Sequence, residues 1–159
     1  MERTRRAYLA SLGTVGIAGL AGCSRGEATS TGTPRPTVEG TYQFDGYLAP
    51  TANFDGSVVD ARGQSETTVK VGASGNGGYR AYAPAAVAVD TGTTVVWAWT
   101  GRGGGHNVVS ESPAFESELV LEAGHVFEHT FDSAGVYKYY CTPHLRTGMK
   151  GVVAVGDVL

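Results

Sequence analysis

Tyr137-Lys138-Tyr139-Tyr140-Cys141-Thr142-Pro143-His144-Leu145-Arg146-Thr147-Gly148-Met149-Lys150-Gly151 joins a β-patterned segment to a short, donor-rich loop. Its first residues alternate as a strand does, with Tyr137, Tyr139 and Cys141 on one face and Lys138 and Tyr140 on the other. The face without the lysine is the core face, so the Cys141 thiol emerges inward at the strand's end. Cys141, His144 and Met149 then lie within one turn's reach of each other. A thiolate, an imidazole and a thioether are soft to borderline donors that suit copper, and two imidazoles plus a thiolate with a weak axial thioether form a blue-copper set. The loop itself supplies only one of the two imidazoles.

The second imidazole is expected from His106, in Gly103-Gly104-Gly105-His106-Asn107-Val108-Val109. It follows the run containing Trp97 and Trp99 through a glycine-rich bend, which places it at a strand end facing the Cys141 loop. Further β-patterned runs cover residues 67–73, 85–89, 93–99, 126–131 and 152–155, rich in Val, Thr and aromatics. Asn76-Gly77-Gly78 marks a turn, and Asp90-Thr91-Gly92 reads as a hairpin-like junction, a pattern repeated at residues 132–135. Residues 42–60 read as an irregular or partly helical entry. No amphipathic helical run of ordinary length is present, so the class is all-β, a sandwich or barrel.

The spacing of Cys141, His144 and Met149, the upstream His106-Asn107 pair and the closing Gly151-Val152-Val153-Ala154-Val155 run resemble the plastocyanin-like small blue copper proteins, the cupredoxins. Phe54-Asp55-Gly56, residues 75–78, Val95-Val96-Trp97-Ala98-Trp99-Thr100 and residues 105–110 are similar to halocyanins in particular. The resemblance implies a Greek-key β-sandwich. It also implies one type 1 copper held by His106, Cys141, His144 and Met149, carrying single electrons between Cu(I) and Cu(II). Asn107 is then expected to tie the two ligand loops together, a turn-forming asparagine being the other reading. Pro143 has no N–H to offer the cysteine sulfur, which leaves the Asn107 amide as the expected main donor. His144 is implied to be the ligand nearest solvent, with Pro143, Leu145 and Gly148 around it as a docking patch.

The N-terminus reads as an export segment over residues 1–22: a basic head, a short apolar run and small residues before a boundary, too weakly apolar for a membrane span. Thr4-Arg5-Arg6-Ala7-Tyr8-Leu9 resembles a twin-arginine signal. Leu20-Ala21-Gly22-Cys23 resembles a lipobox, implying lipid attachment at Cys23 and anchoring at the outer face of the cytoplasmic membrane; a thiol ending an ordinary leader is the other reading. Residues 23–41, rich in Ser, Thr, Gly and Pro, read as a disordered linker, and residues 42–159 as the copper domain. With Cys23 in the leader, Cys141 is a lone exported thiol, and a metal explains it.

The chain carries 12 basic and 15 acidic residues; without Arg3, Arg5, Arg6 and Glu2 the balance is 9 against 14, or −5. That excludes a nucleic-acid partner, which needs a basic face. A monomer meeting membrane-bound redox donors and acceptors transiently fits better, with a copper storage or delivery module as the alternative. His125 and His129 lie about 13 Å apart at about 3.3 Å per strand residue, so one ion cannot bridge them, and they read as surface or edge residues. Trp97 and Trp99 read as core and surface packing. Four histidines and one domain leave no room for the additional copper sites of an enzyme.

Overall fold

The computed structural model describes residues 35–159. The expected export segment, Cys23 and the expected linker up to residue 34 lie outside the described residues. Ten strands occur among those described: β1 (Thr37–Val38), β2 (Val58–Asp60), β3 (Glu66–Gly75), β4 (Gly78–Ala83), β5 (Ala86–Val89), β6 (Thr93–Trp99), β7 (Val109–Ser110), β8 (Val126–Phe131), β9 (Gly135–Tyr140) and β10 (Lys150–Val155). They form a six-stranded sheet in the order β1-β2-β5-β10-β9-β7 and a four-stranded sheet in the order β4-β3-β6-β8. The expected all-β, Greek-key β-sandwich is therefore what the chain adopts.

Between the sheets lies a core whose members come from alternate positions. Val69 and Val71 of β3, Val95, Trp97 and Trp99 of β6, Tyr139 of β9 and Val153 and Val155 of β10 all point inward and are buried. Trp97 packs 5.3 Å from Phe115 and edge-on 5.4 Å from Tyr139, measured between ring centroids. Both tryptophans are core residues, because two positions along a strand return to the same face. Cys141 and Met149 belong to this same core, so the donor-rich loop closes one end of it.

β5 and β10 break the alternation, and every residue of β5 is buried. They pair in parallel and are covered on both faces, the situation in which parallel strands read as continuous apolar runs. The second cover comes from upstream: Leu48 and Val58, with Val38, Tyr42, Phe44, Tyr47 and Phe54, pack on Ala86, Ala88 and Val152. Its backbone is a 3-10 turn at Phe44–Gly46 and the short strands β1 and β2, paired antiparallel. The first strand thus lies inside the stretch that composition marks as linker.

The hairpin expected at Asp90-Thr91-Gly92 does not form. β5 pairs with β2 and β10 in one sheet and β6 with β3 and β8 in the other, so the turn crosses between sheets. The similar junction between β8 and β9 also crosses. Asn76-Gly77 does join paired strands, β3 and β4, both residues having positive φ. His125 and His129 lie at or on β8, an edge strand, half-buried against aromatic rings: His125 is 4.9 Å from Trp99, and His129 is 5.0 Å from Phe115.

Candidate metal centre

His106 is placed by the core beneath it. Its backbone exchanges hydrogen bonds with Val120, 2.9 Å in each direction, and the Trp99 indole N–H donates to its carbonyl at 3.1 Å. The imidazole is 1% exposed, and its Nε2 lies 2.7 Å from the Arg102 carbonyl oxygen. A carbonyl only accepts, so Nε2 carries the hydrogen and the neutral ring's lone pair sits on Nδ1. The glycine-rich bend makes this fit possible. At Gly103, with φ at +85°, a Cβ would collide with the Tyr79 carbonyl and stand 3.0 Å from His106 Nε2.

Cys141 is fully buried just past β9, with its amide donating to the Met149 carbonyl at 3.0 Å. The Asn107 side chain spans the two loops: its Oδ1 accepts the Thr142 amide at 2.8 Å and its Nδ2 donates to Thr142 Oγ1 at 3.1 Å. From Cys141 the chain turns tightly, the His144 amide donating to the Cys141 carbonyl at 3.2 Å, and a 3-10 turn at Leu145–Thr147 leads to Met149. The Met149 amide returns to the His144 carbonyl at 3.2 Å, and its side chain is fully buried in the core cluster that holds Cys141.

These elements bring three donor atoms face to face. His106 Nδ1 and His144 Nδ1 are 3.1 Å apart, and Cys141 Sγ is 3.7 Å from the first and 3.5 Å from the second. A circle through corners separated by 3.1, 3.5 and 3.7 Å has a radius of about 2.0 Å. Bonds of about 2.0–2.1 Å to nitrogen and about 2.3 Å to sulfur are what a first-row divalent ion of this kind makes. The three donor atoms could therefore hold one ion between them, and His106, Cys141 and His144 are the metal-capable group found among the described residues.

The electrostatics prepare the donors unequally. Burial pushes the Cys141 thiol up, partly offset by the backbone amides of Asn107 and His144, which favour the thiolate. Burial lowers both imidazoles, and His144 is lowered further by His106 and Arg80. Neutral imidazoles are ready ligands, whereas the thiol must give up its proton when a metal binds.

Among the described residues, those singled out in the sequence each have a clear place. His106, Cys141 and His144 converge, Met149 is buried at the end of the same loop, and Asn107 bridges the loops. Pro143 and Leu145 are exposed, but Gly148 is buried, so it does not belong to the exposed patch expected around His144. The His144 amide near the sulfur and the Arg102 carbonyl behind His106 escape sequence reading, since backbone groups carry no residue signature.

The sequence matches copper binding proteins of the plastocyanin/azurin family over residues 67–156. It is 54% identical over 105 residues to the halocyanin of Natronomonas pharaonis, a match covering 64% of this chain and 63% of that protein. It is 34% identical over 100 residues to the plastocyanin of Scenedesmus fuscus, covering 57% of this chain and 99% of that one. Among solved structures, a mutant fern plastocyanin aligns with a TM-score of 0.48 and 26% identity, over 57% of this chain and all of that one. With a donor set that fits copper and a family match over most of the sandwich, this chain belongs to the plastocyanin/azurin family of copper-binding proteins.

Proposed function

We propose that this protein is a one-electron carrier whose single copper would be held by His106 Nδ1, Cys141 Sγ, His144 Nδ1 and the Met149 thioether. The observation that carries the reading is the convergence of two imidazole nitrogens and a buried sulfur about one centre. When bound there, copper supplies a Cu(II)/Cu(I) couple. The protein's part is to keep the donors still: His106 is pinned through Nε2, Cys141 through its amide, and the two loops through Asn107. Donors held between the preferences of the two oxidation states need little rearrangement when an electron arrives. Burial of the sulfur excludes water, while His144 reaches toward the surface beside Pro143 and Leu145. That exposed patch is the docking surface of the proposal, suited to weak and transient redox encounters.

An absorption and EPR spectrum of the Cu(II)-loaded protein tests this. An intense visible thiolate-to-copper band, reversible one-electron cycling and loss of the band in Cys141→Ser are expected. Copper bound without band or cycling would favour storage or delivery instead. We further place the protein at the outer face of the cytoplasmic membrane, exported through the twin-arginine-like segment and held by lipid on Cys23, where it serves membrane-bound donors and acceptors. The support is the sequence pattern of residues 4–9 and 20–23. Cys23→Ala should move the protein from the membrane fraction to the soluble one, and unchanged fractionation would refute the anchor.

A further inference from the structure

The family match begins at residue 67, yet the chain before it reaches the metal loop. Leu48, 1% exposed, anchors this upstream segment on the outer face of the six-stranded sheet. From that anchor, side chains and backbone extend to the end of the sandwich where Cys141 lies. The Tyr47 hydroxyl donates to the Tyr139 carbonyl at 3.0 Å, on the strand that leads into Cys141. The Thr51 hydroxyl donates to the Gly148 carbonyl at 2.9 Å, and both groups are buried. Asn76, in the turn between β3 and β4, completes the contact. Its Oδ1 accepts the Ala52 amide at 2.7 Å, and its Nδ2 donates to the Gly148 carbonyl at 3.1 Å and the Arg80 carbonyl at 2.7 Å. Asn53 adds a bond from Nδ2 to the Tyr82 carbonyl at 2.7 Å.

The Gly148 carbonyl belongs to the same planar peptide as the Met149 N–H. Its oxygen is held by Thr51 and Asn76, and the N–H is held by the His144 carbonyl at 3.2 Å. The next peptide is fixed too, since the Met149 carbonyl receives the Cys141 amide at 3.0 Å. Both peptides flanking the Met149 Cα are therefore tied down, one of them by Thr51, upstream of the residues the family model matches. Gly148 permits the approach: with φ at +91°, it lies so near Pro50 that a Cβ would collide with the Pro50 carbonyl. A conformation and a contact that both require glycine at the strap's landing point indicate a fitted joint.

We propose that residues 47–53 form a strap that positions the axial side of the copper site, with Thr51 and Asn76 as positioning residues that act on Met149 through the Gly148-Met149 peptide. This rests on the ligand assignment proposed above. A thioether is a weak, long axial donor whose distance tunes the site, so backbone freedom at Met149 reaches the metal more directly than freedom elsewhere in the loop would. The strap thus gives the Gly148-Met149 peptide a second support, from residues upstream of those the family model matches.

The test compares Thr51→Val, which keeps the shape and removes the donor, with Thr51→Ser, which keeps the donor, both in the full chain. In the metal-free protein, Thr51→Val should speed amide hydrogen exchange at Met149 about fivefold, the equivalent of a hydrogen bond of about 1 kcal/mol, and leave Val69 and Val71 unchanged. In the Cu(II)-loaded protein it should alter the copper hyperfine splitting and the ratio of the thiolate-to-copper bands. Thr51→Ser should match the parent in both measurements. Asn76→Asp, which retains the acceptor for Ala52 and loses the donors to Gly148 and Arg80, should shift the spectrum in the same direction as Thr51→Val. Parent-like spectra and exchange in Thr51→Val overturn the proposal. So does faster exchange throughout the domain with an unchanged spectrum, which makes the bond merely structural. If the loaded parent shows no blue band, the electron-carrier reading fails by itself, while exchange at Met149 still reports on the strap.

Discussion

The two imidazoles of the site stand in opposite surroundings. His106 is 1% exposed, its carbonyl bonded to Val120 and Trp99 and its ring to the Arg102 backbone, so its position is inherited from the core. His144 is half-exposed on a tight loop, and its neighbour Leu145 is 40% exposed. One wall of the site is a continuation of the sandwich interior, and the other is a thin cover. In the proposed electron carrier the difference would separate two tasks: the buried wall would fix the donor geometry, and the thin one would bring the centre near enough to the surface for a partner to approach.

The strongest challenge to that division is to damage each wall in turn. Trp99→Ala removes a 3% exposed indole and its bond to the His106 carbonyl, and should cost about 3–5 kcal/mol. Arg146→Ala, on the loop, should stay within about 0.5 kcal/mol of the parent. Urea unfolding of the metal-free protein measures both, and equal costs would mean that the core does not govern the buried wall. Asn107→Ala probes the seam between them. It leaves the Thr142 amide without its 2.8 Å partner, which should cost about 1–3 kcal/mol and loosen the Cys141 loop, read as weaker copper binding in a competition titration.

How legible the two walls are in the sequence differs for the same reason. Cys141, His144 and Met149 announce themselves, because a loop's donors must be close in sequence and their chemistry is distinctive. The inward aim of Cys141 follows from the alternation of Tyr137 and Tyr139, which any half-buried strand must obey. His106 is harder, being joined to the site only through pairing of its segment with Val120. Hidden altogether is what depends on long-range partners. Asp90-Thr91-Gly92 has the chemistry of a hairpin turn, but whether such a turn pairs its strands or crosses between sheets is settled by β10, far along the chain. Gly78–Ala83 lacks the β-branched residues of an obvious strand and is held by pairing with β3. Thr51 is an ordinary polar residue in an irregular stretch, and only the folded structure sets it against Gly148.

Proton release sharpens the comparison at the donor atoms. Burial raises the Cys141 thiol above its ordinary 9.0 and lowers both imidazoles below 6.5. Between about 6.5 and 9 the metal-free site then carries one proton, on sulfur, that must leave when copper binds. Apparent affinity should rise tenfold per pH unit across that window, about 1.4 kcal/mol per unit. It should level off above the thiol's pKa and steepen below those of the imidazoles, where additional protons are displaced. A flat profile near pH 8 would show that the thiol is already ionised, and that the amides of Asn107 and His144 outweigh burial.

The smallest effect on the fold should come from the thin wall itself. Leu145→Asp changes a side chain that is 40% exposed and outside the core clusters, so stability should move by less than about 0.5 kcal/mol and the blue band should remain. Its consequence should appear only when another molecule approaches. Electron self-exchange provides a defined partner, since two copies can meet through the His144 patch, and like charges introduced on both faces repel each other. Exchange measured by NMR line broadening should slow at low salt and recover partly as salt screens the pair. An unchanged rate would move the docking surface away from Leu145, and a bleached site would show that the loop helps to hold the metal as well as to expose it.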